Sequence, residues 1–371
     1  MGGHPVSDPA ARVAATARFG AARRLAQTPA GHRLARLHGN GFLLRASAPA
    51  PVGGEDAEAA LDRLHHELAR CAAEADHRLL NDLVGEPSCE GIGRWALARL
   101  GGEAARTRMQ ILAGPAEGVA LSGGDPVAWR RFRFEAAHRL PHVPEGHKCG
   151  RMHGHGFEVE VQVGLQPGAE VAAFDAIGAA WDPLGARLDG GCLNDIEGLD
   201  NPTSEVLCRW LHGRLAERLA DLEAVAVLET RSSGARFDGR SFRIWKDFSL
   251  DSAVPAHAER GPGILGHTYL LRLHLVAPLD ERLGWVIDYG DVKERFGPVF
   301  DELDHRPLHE HAEIAAGGLM HLARWIRRET GARLGELGGI DLFETPERGI
   351  RLGREGAGDP FPCDGPWSAS S

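Results

Sequence analysis

The sequence predicts an α+β protein made of three tandem copies of one unit, each with the order strand, strand, helix, helix, strand, strand. The copies are visible because three Arg-Trp pairs stand at equal intervals, at Arg94-Trp95, Arg209-Trp210 and Arg324-Trp325. Strand-like segments that begin at Phe19 and Phe134 are followed, at the same distance, by the His-Gly pairs of His38 and His153. Repeats of this length are whole folded units rather than solenoid repeats.

The middle copy shows the predicted order of elements most clearly. Alternating apolar residues predict its four strands, at 131–139, 156–165, 223–230 and 235–246. Helical spacing runs from Asp175 to Leu188 and from Ser204 to Leu222. The segment Pro202–Glu205 is typical of a helix start, with a capping side chain and an early acid facing the helix dipole.

The repeat pattern also predicts the domain boundaries. A stretch that contains Gly and Pro, 114–127, separates copies one and two, whereas copies two and three join almost directly. The last segment is rich in small and polar residues and is expected to be unstructured. The predicted divisions are an unstructured N-terminus at 1–16, copies at 17–125, 126–240 and 241–352, and an unstructured tail at 353–371.

Composition excludes several classes of function. The 371 residues are 43% hydrophobic and 25% charged, and the formal net charge of −10 argues against nucleic acid as the main partner. No apolar run is long enough to cross a membrane, and the N-terminus lacks the pattern of a secretory signal. The six cysteines are scattered and form no CxxC, so we expect reduced thiols in a cytoplasmic protein.

The middle copy carries a candidate metal motif. His153 and His155 are an i, i+2 pair, and on a strand such residues point to the same face. His138 ends another strand-like run, which a hairpin would bring alongside. Three imidazoles without an obvious fourth protein ligand are typical of a catalytic zinc ion that keeps one position open. The alternative is an ordinary histidine-rich loop in a chain with 19 histidines.

The motifs together resemble the 6-pyruvoyltetrahydropterin synthase and 6-carboxytetrahydropterin synthase family. In copy two they are FxAAH at Phe134–His138, CxxxHGH at Cys149–His155, NPTSE at Asn201–Glu205 and ET at Glu229-Thr230. Copy three adds GWVIDYGDVK at Gly284–Lys293 and LDH at Leu303–His305. The resemblance covers nearly all of residues 17–352, as three copies.

The resemblance implies the tunnelling fold. Each unit would be a four-stranded antiparallel sheet with two helices on one face, and three units would close a twelve-stranded barrel with the helices outside. Closure removes exposed sheet edges. In the family two barrels usually stack. Because one chain here supplies three units, we expect either a monomeric pseudo-trimer or a face-to-face homodimer.

The resemblance also implies that His138, His153 and His155 bind zinc and that the other copies have lost it. Copy one has Arg23, His38 and Asn40 at these places, and arginine is no ligand. Copy three keeps only His267, with Leu265 at the middle place and Asp251 or Ser252 at the first. We therefore expect one zinc ion per chain.

The family's catalytic Asp-His pair, here called the dyad, is distributed differently. It is present as Asp76-His77 in copy one and Asp304-His305 in copy three, but copy two has Asp189-Gly190. In the family, the cysteine and the dyad of one site come from neighbouring subunits. Our hypothesis is that a neighbouring copy completes the site of copy two, with His305 favoured over His77. The alternative is that both dyads are remnants on an inert scaffold.

The resemblance implies chemistry on 7,8-dihydroneopterin triphosphate. Zinc would act as a Lewis acid on the side-chain hydroxyls, and Cys149, with a pKa lowered by Lys148 and zinc, would be the base. Glu229 would anchor the pterin ring, and Glu344 is its equivalent in copy three. Thr203 and Glu205 are further substrate-binding candidates. The alternatives are a buried structural thiol for Cys149, a solvated charge for Glu229 and a helix-start acid for Glu205.

The product stays open at this point. We expect a zinc-dependent carbon–oxygen or carbon–carbon lyase that forms 6-carboxy-5,6,7,8-tetrahydropterin, the precursor of queuosine and other deazapurines. A 6-pyruvoyltetrahydropterin synthase is the first alternative. A non-catalytic pterin- or purine-binding protein derived from the enzyme is the second, and a zinc enzyme with another pterin-like substrate is the third.

Overall fold

The computed structural model describes residues 11–29, 31–51, 56–101, 106–123, 125–255, 263–315 and 318–353. The strands of copy one are β1 (Ala11–Arg23), β2 (His38–Pro49), β3 (Arg108–Ala113) and β4 (Glu117–Leu121). Those of copy two are β5 (Val127–His138), β6 (His153–Gly164), β7 (Leu222–Thr230) and β8 (Ser233–Phe237). Those of copy three are β9 (Phe242–Pro255), β10 (Ile264–Leu275), the two-residue β11 (Arg306–Pro307), β12 (Leu337–Thr345) and β13 (Arg348–Gly353).

Each copy also contributes two helices between its second and third long strands. They are α1 (Ala57–Ala75) and α2 (Cys89–Leu97), α3 (Glu170–Leu188) and α4 (Ser204–Ala216), and α5 (Tyr289–Leu303) and α6 (Leu319–Gly331). Side-chain caps start several of them: Asp56, Ser88, Thr203 and Asp288 each accept a hydrogen bond from a backbone N–H of the first turn.

The strands form one closed barrel, as predicted. Twelve long strands follow one another in the order β1 to β10, then β12 and β13, and all of these neighbours are antiparallel. One copy joins the next at the pairs β4–β5, β8–β9 and β13–β1. Because β13 returns to β1, the ring of long strands has no open edge.

The two faces of the sheet differ in chemistry. One face is apolar and packs on the helices, as in the stacked pair Phe132–Trp181 at 4.7 Å. The other face carries buried ion pairs, among them Arg272–Asp247 and Arg351–Asp341. A ring of twelve strands is too narrow to hold six helices, so the helices lie outside and the ion pairs line the interior.

The backbone shows which residues of the three copies are equivalent. His77, Gly190 and His305 all have a left-handed conformation, with φ of 56°, 73° and 56°. Glycine adopts this conformation without strain, whereas a histidine there is uncommon. The N–H group of each residue donates to the first strand of its own copy, at Gly20, Glu135 and Asp251 respectively.

Some predicted boundaries are wrong. Residues 11–16, predicted to be unstructured, belong to β1, because they pair with β2 and β13. Gly353, predicted as the first residue of the unstructured tail, ends β13 and pairs with Gly339. Helix α3 starts earlier than predicted, at Glu170, and helix α4 ends earlier, at Ala216. The other parts of the predicted unstructured ends, 1–10 and 354–371, lie outside the described residues. Among the described helices, none has the length and apolar character needed to cross a membrane.

Candidate metal centre

Three histidines meet at the end of the β5–β6 hairpin. His138 is the last residue of β5 and pairs with His153, the first residue of β6, while His155 pairs with Ala136. The Nε2 atoms of His138 and His155 lie 3.1 Å apart. The ligand atoms of the three histidines and of Glu229 all lie within 4.8 Å of one another. The predicted set His138, His153 and His155 is therefore brought together by the register of one hairpin.

Each ring is oriented by a hydrogen bond at its Nδ1 atom. The acceptors are the carbonyl oxygens of Pro202 for His138 (3.2 Å), Arg151 for His153 (2.8 Å) and Gly156 for His155 (3.2 Å). Because a carbonyl oxygen only accepts, each Nδ1 carries a proton, and when the imidazole is neutral its Nε2 keeps the lone pair. A proton held at Nδ1 by a backbone carbonyl is the usual arrangement behind a histidine that ligates through Nε2.

Glu229 adds a carboxylate to this group. It lies near the end of β7, and its Oε1 is 3.3 Å from Nε2 of His155 and 3.9 Å from Nε2 of His138. Its other oxygen, Oε2, accepts a hydrogen bond of 2.8 Å from the Ser204 hydroxyl. Glu229 was predicted to bind the pterin, and its position beside the histidines was not predicted. A donor set of three imidazoles and one carboxylate fits zinc.

The electrostatics of the site favour neutral imidazole at its buried end. Burial lowers the pKa of His138, although Glu229 acts in the opposite direction. The hydrogen bond with Glu229 raises the pKa of His155. Burial alone would raise the pKa of Glu229, but the hydrogen bonds from His155 and Ser204 keep it below its usual value. Metal binding needs neutral imidazoles and an ionised carboxylate. The lowered pKa values of His138 and Glu229 favour this state, whereas the raised pKa of His155 opposes it.

In copy one an arginine stands in the place of the first ligand. His138 of copy two hydrogen-bonds to Pro202, and in copy one Arg23 donates to the carbonyl of Pro87 at 2.8 Å. Arg23 is buried and cannot ligate a metal. The carboxylate of Glu170, from copy two, lies against the same region and accepts from the backbone N–H of Cys89 and of Glu90 at 2.9 Å each.

Copy three has lost two of the three ligands. Val254 pairs with Leu265 in β9–β10 as His138 pairs with His153 in β5–β6. The first ligand position is therefore Val254, and the prediction of Asp251 or Ser252 is wrong. The ligand lies three residues after the strand residue whose carbonyl accepts from the dyad position, which is Glu135 in copy two and Asp251 in copy three. His267 alone remains. Within the described residues, one group of His, Cys, Asp and Glu side chains could hold a metal ion, and it is the group of copy two.

Cys149 lies in a single turn of 3-10 helix, Lys148–Gly150, between the two ligand strands. The residue is half-buried and its thiol is free. Burial and then the Glu229 carboxylate raise the pKa of this thiol, and Lys148 lowers it by less. Without a bound cation, the expected lowering by Lys148 is thus outweighed.

Copy three packs directly on the site of copy two. The carbonyls of Leu283 and Gly284 accept hydrogen bonds from Asn201 (2.7 Å) and from the hydroxyl of Thr203. The N–H of Val286 donates to Glu205 at 2.9 Å. Thr203 and Glu205, predicted to contact substrate, thus hold the interface between the two copies, and Thr203 also caps α4.

Two features of this interface were not predicted, the position of Asp288 and the raised pKa of Glu205. Asp288, from copy three, lies 3.3 Å from Nε2 of His147. Burial raises the pKa of Glu205 to about 7, although the N–H of Val286 lowers it. The motif GWVIDYGDVK, which contains Val286 and Asp288, was a sequence signal for a segment that contacts the neighbouring copy.

The topology decides which site each dyad faces. β10 pairs with β9 along Ile244–Pro255, so β11, which pairs with β9 at Ser252 and Ala253, lies on the other edge. Near the N-terminal end of β9, the same edge pairs with β8 of copy two. His305 directly precedes β11 and therefore lies on the side of copy two.

The dyad of copy one lies on the side of copy three. Leu79 bridges to Ala22 of β1, whose one edge is filled by β2 and whose other edge carries β13. Both dyads are formed: Nδ1 lies 2.8 Å from the carboxylate in Asp76-His77 and 2.7 Å in Asp304-His305. Both imidazoles are open to solvent, with His77 89% and His305 77% exposed.

The remaining candidate, Glu344, lies at the position of Glu229 in copy three. It is not open to a ligand, since its Oε1 accepts from Nε of Arg348 at 2.6 Å.

Comparison with known proteins agrees with this architecture. The family model described as 6-pyruvoyl tetrahydropterin synthase matches residues 128–240 and 243–355. A 6-carboxy-5,6,7,8-tetrahydropterin synthase of Synechocystis sp. is 42% identical over 120 residues, which are 30% of this chain and 92% of that protein. A putative 6-carboxy-5,6,7,8-tetrahydropterin synthase of Archaeoglobus fulgidus is 34% identical over 105 residues, 28% of this chain and 86% of that protein.

Among solved structures, the 6-pyruvoyl tetrahydropterin synthase of Caenorhabditis elegans aligns with 20% identity and a TM-score of 0.27, over 30% of this chain and 95% of that chain. The two family matches together span more than half of the sequence and coincide with copies two and three. The chain belongs to the 6-pyruvoyl tetrahydropterin synthase family, with tandem family units in one polypeptide.

Proposed function

We propose that the chain is a zinc-dependent pterin synthase that converts 7,8-dihydroneopterin triphosphate to 6-carboxy-5,6,7,8-tetrahydropterin. The observation that carries this proposal is the convergence of His138, His153, His155 and Glu229 within 4.8 Å, together with the free thiol of Cys149 in the turn between the two ligand strands. The names of the Synechocystis and Archaeoglobus relatives support the 6-carboxy product.

One site per chain is assembled from two copies in this proposal. Copy two supplies the metal ligands and Cys149. Copy three supplies the Asp304-His305 dyad, because β11 lies on the edge of β9 that faces copy two. Zinc, when bound to the three histidines, would supply Lewis-acid polarisation of the substrate's side-chain hydroxyls.

Two groups of the chain would move protons. Cys149 acts as the base on the substrate side chain, and it needs the cation of the site because burial and Glu229 raise the pKa of the metal-free thiol. His305 acts as the second relay. The Asp304 carboxylate, 2.7 Å from Nδ1, fixes the tautomer and leaves Nε2 for the substrate.

Glu229 is the proposed anchor of the pterin ring. Its carboxylate can accept parallel hydrogen bonds from the ring N–H and the exocyclic amino group. The alternative role is that of a fourth metal ligand, which its 3.3 Å distance to Nε2 of His155 supports. If Glu229 is only the anchor, a variant without its carboxylate should keep the zinc ion. If Glu229 is a ligand, that variant should lose the ion.

The second candidate function is 6-pyruvoyltetrahydropterin synthesis, which the description of the matching family model supports. Both reactions start from the same substrate and differ in whether a two-carbon fragment leaves. Release of that fragment as acetaldehyde would make the protein a carbon–carbon lyase that supplies queuosine and deazapurine precursors.

Product analysis tests the proposal. The full chain, with its zinc content measured, is incubated with 7,8-dihydroneopterin triphosphate, and the products are identified by mass spectrometry. We expect 6-carboxy-5,6,7,8-tetrahydropterin together with acetaldehyde and inorganic triphosphate. A 6-pyruvoyl product without acetaldehyde would select the second candidate. Zinc-loaded protein that binds the substrate without converting it would contradict both and identify a binding protein.

The assembly is proposed to be a face-to-face homodimer rather than the monomeric pseudo-trimer. Leu37, Met152 and Ile264 directly precede the equivalent residues His38, His153 and Leu265, and they are 65%, 54% and 65% exposed. Three apolar side chains in threefold arrangement at the site end of the barrel match a second copy with the same arrangement. Light scattering should give twice the chain mass, and aspartate at all three positions should give the monomer. A hexamer of full chains would contradict both forms.

A cytoplasmic location is proposed from the cysteines. All five cysteines in the described part of the chain are free. Thiols that stay reduced are typical of the cytoplasm. Fractionation of the producing cells, followed by detection of the protein, tests this assignment.

A further inference from the structure

Glu344 and Glu229 occupy the same place in their copies. In β7–β8 the register shifts between Leu228 and Thr230, and in β12–β13 it shifts between Phe343 and Thr345. Each glutamate is the residue within that irregularity, where the strand bends. After the shift, Thr230 pairs with Ser233 and Thr345 pairs with Arg348. The two copies therefore present the same carboxylate, and they differ in the side chain on the facing strand.

In copy three the facing side chain is an arginine that binds the carboxylate. Nε of Arg348 lies 2.6 Å from Oε1 of Glu344. The same guanidinium reaches helix α1 of copy one, where it contacts Asp62 and lies 4.0 Å from Glu58. Arg348 is 23% and Glu344 16% exposed. One guanidinium is thus enclosed by three carboxylates from two copies.

In copy two the residue equivalent to Arg348 is Ser233, which carries no guanidinium. Ser233 is too short to reach Glu229, and its hydroxyl is held by the Thr230 hydroxyl at 2.6 Å. Glu229 instead contacts Ser204 and His155. The same carboxylate position is therefore filled by the chain itself in copy three and left for an outside ligand in copy two.

The enclosed group has a specific hydrogen-bonding pattern. A guanidinium presents N–H donors on a planar N–C–N unit, and a carboxylate accepts them in parallel. The 2-amino-4-oxopyrimidine edge of a pterin or a guanine presents the same unit. Without the guanidinium, the carboxylates of Asp62 and Glu344 would lose their cationic partner, and Glu58 would keep a backbone hydrogen bond from Met320. Clustered carboxylates of this kind attract a cation or a strong donor.

We propose that copy three contains a closed binding site for a planar N–C–N donor, and that Arg348 is its resident internal ligand. The preference for a guanidinium stands on the contacts of copy three alone. Its extension to a pterin edge rests on the proposed role of Glu229 in copy two. Arg348 also holds β13 against α1, where β13 pairs with β1 and closes the barrel.

Chemical rescue tests the guanidinium preference. We expect R348A to unfold at a lower temperature than the wild type, by on the order of a few °C. Methylguanidinium at millimolar concentration should raise the unfolding temperature of R348A toward that of the wild type, and the increase should level off as its concentration rises. Methylammonium, which has the charge without the planar unit, should not raise it. The double variant R348A/E344Q should lose the rescue. Equal rescue by both cations, or by neither, would overturn the proposal.

Two further arrangements keep this test decisive. If R348A does not fold alone, its refolding yield with methylguanidinium against methylammonium gives the same comparison. R328A is the matched control, because Arg328 forms exposed ion pairs with Glu313 and Glu329, and methylguanidinium should leave its stability unchanged.

Titration calorimetry with neopterin tests the extension to the pterin edge. We expect one equivalent for the wild type and two for R348A. One equivalent for both proteins would overturn the extension. No binding to the wild type would count against the proposed function of copy two, while the methylguanidinium result would still decide the guanidinium preference.

Discussion

The Nε2 atoms of His138 and His155 lie 3.1 Å apart, and the Nδ1 atom of each ring donates to a backbone carbonyl. When both imidazoles are neutral, their Nε2 lone pairs face each other at this distance and repel. A cation shared by both nitrogens and by His153 would remove the repulsion. The arrangement fits a metal site whose ligands are already oriented by the protein.

Zinc content is the first prediction. The wild-type chain should bind one zinc ion, because copies one and three lack the ligand set. H155A should lose the ion and stay folded, since the barrel is closed by backbone pairing rather than by the metal. The matched control is H267A at the equivalent position of copy three, which should keep the ion. Elemental analysis that finds close to three ions per chain would refute the loss of the other two sites.

Glu229 gives the second prediction. If it anchors the pterin, E229Q should keep one zinc ion but raise KM for the substrate by about tenfold or more, because one accepting oxygen becomes a donor. Elemental analysis and steady-state kinetics measure the two effects. Loss of the ion in E229Q would instead assign Glu229 as a ligand, and the anchor role would be abandoned.

Cys149 gives the third prediction. C149A should lower kcat by on the order of 10²–10⁴-fold, which is typical for the loss of a proton-transfer group, and should retain the zinc ion. C192A, which removes another half-buried free thiol of copy two, is the control and should turn over at the wild-type rate. Wild-type turnover by C149A would show that the thiol is structural.

The order of elements and the metal ligands could be predicted from sequence because both are local patterns. An i, i+2 pair shares a face of any strand, and repeated motifs reveal repeated units. The position of Glu229 could not be predicted, since β7 comes next to β6 only after two helices have folded between them. Val254 could not be identified as the equivalent of His138, because that match depends on the pairing register of β9 and β10. Thr203 and Glu205 were recognised as helix-start residues, but their contacts with copy three depend on how the copies pack.

Glu205 gives the fourth prediction, a pH dependence of stability. Its pKa is about 7 in the folded protein, raised by burial from 4.5, so the folded state holds a proton that the unfolded state releases as pH rises. Stability should therefore fall between pH 4.5 and 7 and stay low above. E205Q should be more stable than the wild type at pH 8, by on the order of 3 kcal/mol, and similar to it at pH 4.

Urea unfolding at several pH values measures this effect. E90Q at the equivalent position of copy one is the control, because Glu90 forms an ion pair with Arg94 at 2.8 Å and its loss should not stabilise the protein at pH 8. Equal pH profiles for E205Q and the wild type would show that Glu205 is not the group responsible.

The claim that one site is assembled from copies two and three is tested most directly by comparing H305A with H77A. Both residues have the same backbone conformation, and each is hydrogen-bonded to the aspartate that precedes it. They differ in position, because His305 lies on the side of copy two and His77 on the side of copy three. Turnover of 7,8-dihydroneopterin triphosphate should fall by about 10²–10⁴-fold in H305A and by less than about threefold in H77A. A similar loss in both, a larger loss in H77A, or less than a tenfold loss in H305A would contradict the assembly of the site from these two copies.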